Sequence, residues 1–329
     1  MSLLLGVIIK SLILIVLLMS GFAGVMLFER KLLGWFHLRL GPNRVGPWGL
    51  LQPLADGLKL ALKEDVLPDR VDSLVYHLAP VISLFTALAA FAVIPVGPSF
   101  TAFGARVTLS IASPSAGIVY LLAIFSLAVY GITLAGWSSQ SKYALLGGVR
   151  STAQLISYEL AMGVAIVGSL ILAGSGNLAH IVDAQRSMWY VVFEPLGFLI
   201  YFICAVADTN RPPFDLPEAD AELVAGYHTE YSGMRFAMFF MAEYINIITV
   251  SAVATLLFLG GWQGPVAPSV VWFLLKVAAL VFVFVWLRAT LPRLRYDRLM
   301  AFGWKVLLPV ALVQLVAVAA FVAWGVVPA

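Results

Sequence analysis

GIVYLLAIFSLAVYGITLAGW, residues 117–137, contains no charged residue and no proline. Wound as an α-helix at about 1.5 Å per residue, it is about 30 Å long, the thickness of a bilayer's hydrocarbon core. In that medium every backbone N–H and C=O must be bonded within the segment, and a helix does so. Working outward, similar apolar runs occupy Leu3–Phe28, Leu74–Pro95, Arg150–Ala173, Tyr190–Ala207, Phe236–Leu259, Val270–Leu291 and Lys305–Val326. The chain is 62% hydrophobic and only 11% charged, against about 25% charged residues in soluble domains. The expectation is an all-α polytopic membrane protein, one integral domain over 1–329, with about eight transmembrane helices.

The first run exceeds the apolar core of a signal peptide, and Glu29-Arg30-Lys31 follows it where a small-residue cleavage site would stand. It is read as a retained membrane helix. The net charge of +3 records topology, not nucleic-acid binding. Arg30, Lys31, Arg39, Arg44, Lys59, Lys63 and Arg70 crowd the first loop, whereas the even loops hold Arg106 and Arg186. The positive-inside rule then places the odd loops in the cytoplasm and both termini outside. The single cysteine, Cys204, lies in an apolar run and excludes an internal disulfide framework or a cysteine-ligated iron–sulfur site.

Two inner loops carry unusual composition. In the first, residues 29–73, Leu50, Leu54, Leu58 and Leu62 recur at helical spacing while Gln52, Asp56, Lys59 and Lys63 fall elsewhere. That pattern predicts an amphipathic helix lying in the membrane interface. GPNRVGP before it dictates turns. The other, residues 208–235, holds Asp208, Asp215, Glu218, Asp220, Glu222 and Glu230 against Arg211 and Arg235. This net-acidic loop on a positive-inside face is read either as a solvated surface or as a funnel delivering protons into the membrane.

Lys10, Glu159, Glu243 and Lys276 lie within apolar runs, where a charge costs at least about 2.5–3.5 kcal/mol. Counted from Arg150 and Arg235, Glu159 and Glu243 sit roughly 12–14 Å in from the cytoplasmic side. Burial favours the neutral form of acids and amines alike, so such groups are candidates for proton exchange near neutral pH. Structural ion pairs or hydrogen-bonded acids are the alternative. Lys276 is a candidate partner for a carboxylate, and Lys10 lies near an outer helix end from which it can snorkel. Nucleotide-binding, zinc-hydrolase and serine-hydrolase motifs are missing, and the four histidines are scattered. No metal site and no resident redox cofactor are expected.

FERKLLGWFHLRLGPNRVGPWGLLQPLADGLKLALKED, RSTAQLISYEL, ADTNRPPFDLPEADAELVAGYHTEYSG, MFFMAEYINII and RATLPRLRYDRLM closely resemble the H-subunit family of respiratory complex I, the proton-pumping NADH:quinone oxidoreductase. The resemblance covers essentially the whole chain. It implies a membrane subunit that docks a peripheral arm on its cytoplasmic face, walls much of the quinone (ubiquinone-type) access channel and starts a chain of buried charges. By that resemblance Glu159 and Glu243 match buried acidic positions. Asp208, Arg211, Asp215, Glu218, Asp220 and Glu222 match the acidic coupling loop, with Asp208 and Asp220 one methylene shorter than the Glu of many relatives. Glu29, Arg30, Arg39, Asp56 and Lys59 match the region beside the quinone passage. Quinone is implied as substrate, with flavin and iron–sulfur clusters in partner subunits. Implied partners are the peripheral quinone-module subunits, small and antiporter-like membrane-arm subunits, quinone and lipid. The homologous subunit of a membrane-bound hydrogenase or ferredoxin-linked complex, a stand-alone proton-coupled transporter and a structural anchor are the competing readings. Ala- and Val-rich composition points to a bacterial inner membrane.

Overall fold

The computed structural model describes residues 2–102, 105–215, 224–265 and 267–325. Among them seven helical stretches are long and apolar enough to cross a membrane: Leu4–Phe36, Ser73–Val93, Gly117–Ser138, Lys142–Ala173, Gly233–Phe258, Val270–Thr290 and Tyr296–Ala323. We name the helices α1 (Ser2–Phe36), α2 (Gln52–Leu62), α3 (Ser73–Ala90), α4 (Gly117–Ser138), α5 (Lys142–Ala173), α6 (Leu178–Ala184), α7 (Tyr190–Phe193), α8 (Pro195–Asp208), α9 (Gly233–Phe258), α10 (Val270–Thr290), α11 (Tyr296–Phe302) and α12 (Leu308–Ala323). A π-helical turn, Gly303–Leu307, joins α11 to α12 without a break. A three-residue hairpin, β1 (Phe100–Ala102) and β2 (Ala105–Val107), decorates the loop between α3 and α4.

Beside these seven, the apolar run at 190–207 holds a shorter apolar helix, Pro195–Asp208. The run is interrupted at Glu194, which leaves α7 as a single turn and α8 as a helix of 14 residues. Pro195 supplies the physical reason: with no N–H and a fixed φ, it starts a helix more readily than it continues one. Elsewhere helices outrun the apolar runs. α1 carries on through Glu29, Arg30 and Lys31, so these stand on a helix and not in the first loop. α5 begins two turns before Arg150.

α3 packs on α4, α4 on α5, and α5 on α8 and α12, while α9 lies against α3, α1 and α10. The α4–α5 crossing is close because glycines face each other: a methyl added to Gly136 would lie 3.0 Å from Gly148 Cα. Small residues at a membrane helix contact allow such approach and the dispersion gain it brings. Tyr158, Tyr201 and Phe258 are fully enclosed. Cys204 is likewise buried, as expected of a packing residue. α1 instead turns Leu5, Ile8, Leu12, Val16 and Leu17 outward, which a hydrocarbon solvent tolerates.

Alternation of the chain follows from its contacts. Glu29 near the end of α1, Arg211 after α8 and Arg288 near the end of α10 meet at one face. At the opposite face Lys10 Nζ donates to the carbonyls of Thr108 (3.0 Å) and Ser110 (3.2 Å). On the arginine-rich face GPNRVGPWG winds into tight turns. Gly49 adopts φ +75°, and a Cβ there would overlap the Pro42 carbonyl. α2 follows, exposing Leu54, Leu58 and Leu62 on one side as the amphipathic pattern predicts.

Candidate functional site

Arg211 is the centre of the arrangement. The turn after α8 swings it beneath α1 and α9, and it is only 6% exposed. Its Nη1 donates to Glu29 Oε1 at 3.1 Å, and its Nε lies 2.5 Å from Glu243 Oε1. The guanidinium also stacks over the Tyr244 ring, 4.5 Å from its centroid. Arg288 of α10 reaches the same Glu29 oxygen. Burial opposes the Arg211 charge, but Glu243 and Glu29 outweigh it and keep the guanidinium protonated. Two arginines and two carboxylates from four segments thus form one cluster, with Arg211 and Glu29 buried and Glu243 and Arg288 half-buried.

A cavity of about 50 Å³ adjoins it, bounded by Asp208, Asn210, His228, Glu243 and Asn246. At roughly 10–15 Å³ of such volume per water, it has room for a few molecules. Asp208, the last residue of α8, opens into this space, and Glu159 is near enough for its charge to act on Asp208. Glu159 itself accepts a hydrogen bond from Ser126 Oγ, on the wall of an open groove between α4 and α5. Glu243 and Asp208 therefore share the cavity, and Glu159 stands on the wall of the neighbouring groove.

The residues matched to the quinone region divide in two. Glu29 joins the buried cluster. Arg30 pairs with Asp56 at 2.5 Å, binding α2 to α1 at the protein surface, and Lys59 lies 3.7 Å from the same acid within α2. Arg39 is exposed and shares neither group. Asp215 is buried and bonded by Arg293 Nη2 at 3.0 Å. Glu218, Asp220 and Glu222 lie outside the described residues.

A second network ties the same face to α9. Arg235 is 3.2 Å from Asp65 and bonds His77 Nε2 at 2.8 Å. Tyr76 and Tyr231 stack with centroids 4.1 Å apart. Tyr76 Oη donates to the Glu230 carbonyl and Tyr231 Oη to the Tyr76 carbonyl. Burial pushes the Tyr231 hydroxyl up from its ordinary value, so it stays protonated as a donor.

Lys276 corrects the sequence expectation of a carboxylate partner. Its Nζ donates to the carbonyls of Leu259 (2.6 Å), Gly261 (3.0 Å) and Gln263 (2.6 Å), beneath the Trp189 ring at 4.2 Å. All three ammonium hydrogens are used, and the charge serves to close the α9–α10 turn. Sequence reasoning also missed Arg288, Arg293, His228 and Glu194. The first three sit in or beside the characteristic motifs, but nothing in their spacing distinguishes them from ordinary loop or helix-end residues. Glu194 was legible as an acid inside an apolar run.

A family model described as NADH dehydrogenase matches residues 9–319. The H subunit of the NADH-quinone oxidoreductase of Syntrophotalea carbinolica is 54% identical over 302 residues, 92% of each chain. The first of the numbered H subunits of the NADH-quinone oxidoreductase of Geobacter metallireducens is 55% identical over 287 residues, 87% of each chain. The corresponding H subunit of Frankia casuarinae is 55% identical over 315 residues, 93% of this chain and 70% of its own length. With identity of that order over most of its length, the chain belongs to the NADH dehydrogenase family, with the H subunits of NADH-quinone oxidoreductase.

Proposed function

We propose that this chain is the membrane subunit of a proton-translocating NADH:quinone oxidoreductase that walls the quinone passage and links quinone reduction to proton movement. The observation that carries the reading is Arg211, buried between Glu29 and Glu243 beside the Asp208 cavity. It joins the arginine-rich face, where a quinone head would approach, to acids inside the membrane. Conversion of quinone to quinol takes up two electrons and two protons. Negative charge arriving at that face draws Arg211 and Arg288 toward it. A carboxylate that loses its counter-charge binds a proton more readily, and a coupled cluster responds as a unit. Glu29 and Glu243 then take protons, waters in the cavity pass them between Glu243 and Asp208, and Glu159 hands them on. Asp215, Glu218, Asp220 and Glu222 feed the cluster from the loop, and Arg30, Arg39, Asp56 and Lys59 flank the entrance.

In this reading the arginine-rich face is cytoplasmic, both termini are outside, and the membrane is a bacterial inner membrane. A peripheral arm carrying flavin and iron–sulfur clusters docks on that face. Small and antiporter-like membrane subunits receive protons from the Glu159 side. The test is Glu159→Gln and Glu243→Gln in the assembled complex. NADH–ferricyanide activity should stay normal, while quinone-linked turnover and pumping fall strongly. Normal pumping in both variants would remove these acids from the route and favour a purely structural anchor.

A further inference from the structure

Glu194 takes no part in the relay above, yet it is among the most completely enclosed of the described acids, 1% exposed. Its Oε2 accepts from Ser169 Oγ of α5 at 3.2 Å, and its Oε1 accepts from Gln314 Nε2 of α12. Space for the carboxyl is built into the sequence. A methyl on Gly168 of α5, or on Gly197 of α8, would overlap Glu194 Oε1. Gln314 Oε1 is buried without a hydrogen-bond partner, and none of the ion pairs resolved among the described residues includes Glu194. A neutral acid, or an amide in its place, has the donor that Gln314 Oε1 lacks once the two groups face each other donor to acceptor.

The location gives this contact a purpose. α8 has 14 residues, about 21 Å at 1.5 Å each, and falls short of a hydrocarbon core of about 30 Å. Hydrophobic matching therefore cannot fix how deep α8 sits. Polar contacts must set its axial register. At one end Gln154 Nε2 donates to the Ala207 carbonyl at 2.8 Å, and at mid-helix Tyr201 Oη donates to the Val250 carbonyl at 3.0 Å. At the other end Glu194 reaches across to both α5 and α12. Asp208 is the residue whose position that register decides.

We infer that Glu194 is a positioning residue: gripped by Ser169 and Gln314, it sets the depth of α8 and so the place of Asp208 in the cavity. The inference rests on the proposed role of Asp208. A displacement of about 1 Å at a reacting group can cost about a hundredfold in rate, so a slip of α8 is visible in turnover.

The experiment compares Glu194→Gln, Glu194→Leu, Gly168→Ala and Asp208→Asn in the purified complex. NADH–ferricyanide activity, quinone-linked turnover, its pH profile and protons moved per electron are measured. Glu194→Gln should stay within about twofold of the parent, because the amide oxygen still accepts from Gln314 Nε2 and the amide NH2 can donate to Ser169 Oγ. Glu194→Leu should lose at least about tenfold in quinone-linked turnover with a displaced pH profile and unchanged ferricyanide activity. Gly168→Ala keeps the acid but fills its seat and favours the helix, so it should reproduce the defect even if Glu194→Leu fails to assemble. Equal defects in the Gln and Leu variants would overturn the inference by making Glu194 a proton carrier. Normal turnover in Gly168→Ala with a defective Asp208→Asn would also overturn it. A harmless Asp208→Asn would instead sink the relay on which it depends.

Discussion

Replacing Arg211 by methionine tests the buried cluster most directly. The substitution keeps much of the apolar stem and removes a charge that faces Glu29 Oε1 at 3.1 Å and Glu243 Oε1 at 2.5 Å. At an effective dielectric of about 20, those separations correspond to gross attractions of about 5 and about 7 kcal/mol. Most of that is cancelled by the cost of taking all three groups out of water. Breaking a buried pair by deleting one member costs about 3–5 kcal/mol net, because the partner stays buried and uncompensated. Glu29 keeps Arg288, so the damage should concentrate on Glu243. Arg211→Met should therefore lower the stability of the subunit by about 3 kcal/mol or more, read as the detergent-denaturation midpoint of the purified complex. Adding Glu243→Gln removes the stranded charge. The double variant should recover a large part of the loss, with a coupling energy above about 1.5 kcal/mol. Strict additivity within about 0.5 kcal/mol, the behaviour of independent sites, would refute the claim that these side chains form one electrostatic unit.

Further tests separate the parts. Asp215→Asn removes the charge that Arg293 meets at 3.0 Å and should cut quinone-dependent activity at least severalfold. Asp183→Asn, whose exposed pair with Arg186 is of a kind worth about 0–1 kcal/mol, should leave it unchanged; equal small effects would return the 208–235 loop to a solvated surface. Lys276→Met strands three carbonyls and should cost roughly 2–3 kcal/mol in a stability assay with little change in quinone KM; a large KM change would give Lys276 a role in the passage. Leu54→Asp with Leu58→Asp charges the exposed stripe of α2 and should raise KM for a long-tailed quinone more than for a short-chain analogue. Identical effects on both substrates would show that α2 does not meet the tail.

Much of the fold was readable from one dimension because hydrocarbon is an unforgiving solvent. Seven of the apolar runs became long helices, and the leucine spacing around 50–62 became α2. The run at 190–207 became the shorter apolar helix α8, because summed hydropathy hides one acid followed by one proline, and that pair splits α7 from α8. The site was legible as a set of residues and illegible as an arrangement. Glu243 has no cation within a helical turn along the chain, yet Arg211 reaches it from another segment. A carboxylate is the partner that sequence suggests for Lys276, and backbone carbonyls take the whole ammonium instead. Adjacency groups Glu29 with Arg30, but successive positions on a helix point about 100° apart. One faces the buried cluster and the other faces α2.

The sequence by itself determined that this chain is a multi-pass membrane protein and which acids lie inside its apolar helices. Those properties follow from the free energy of transferring each stretch between water and oil, which is additive along the chain. Tertiary structure decided which charge faces which: Arg211 between Glu29 and Glu243, Arg288 on the same glutamate, Asp208 at the rim of a water-sized cavity, Glu194 seated between two glycines. Pairing depends on distances between residues up to 259 positions apart, and only the packing of helices sets those distances.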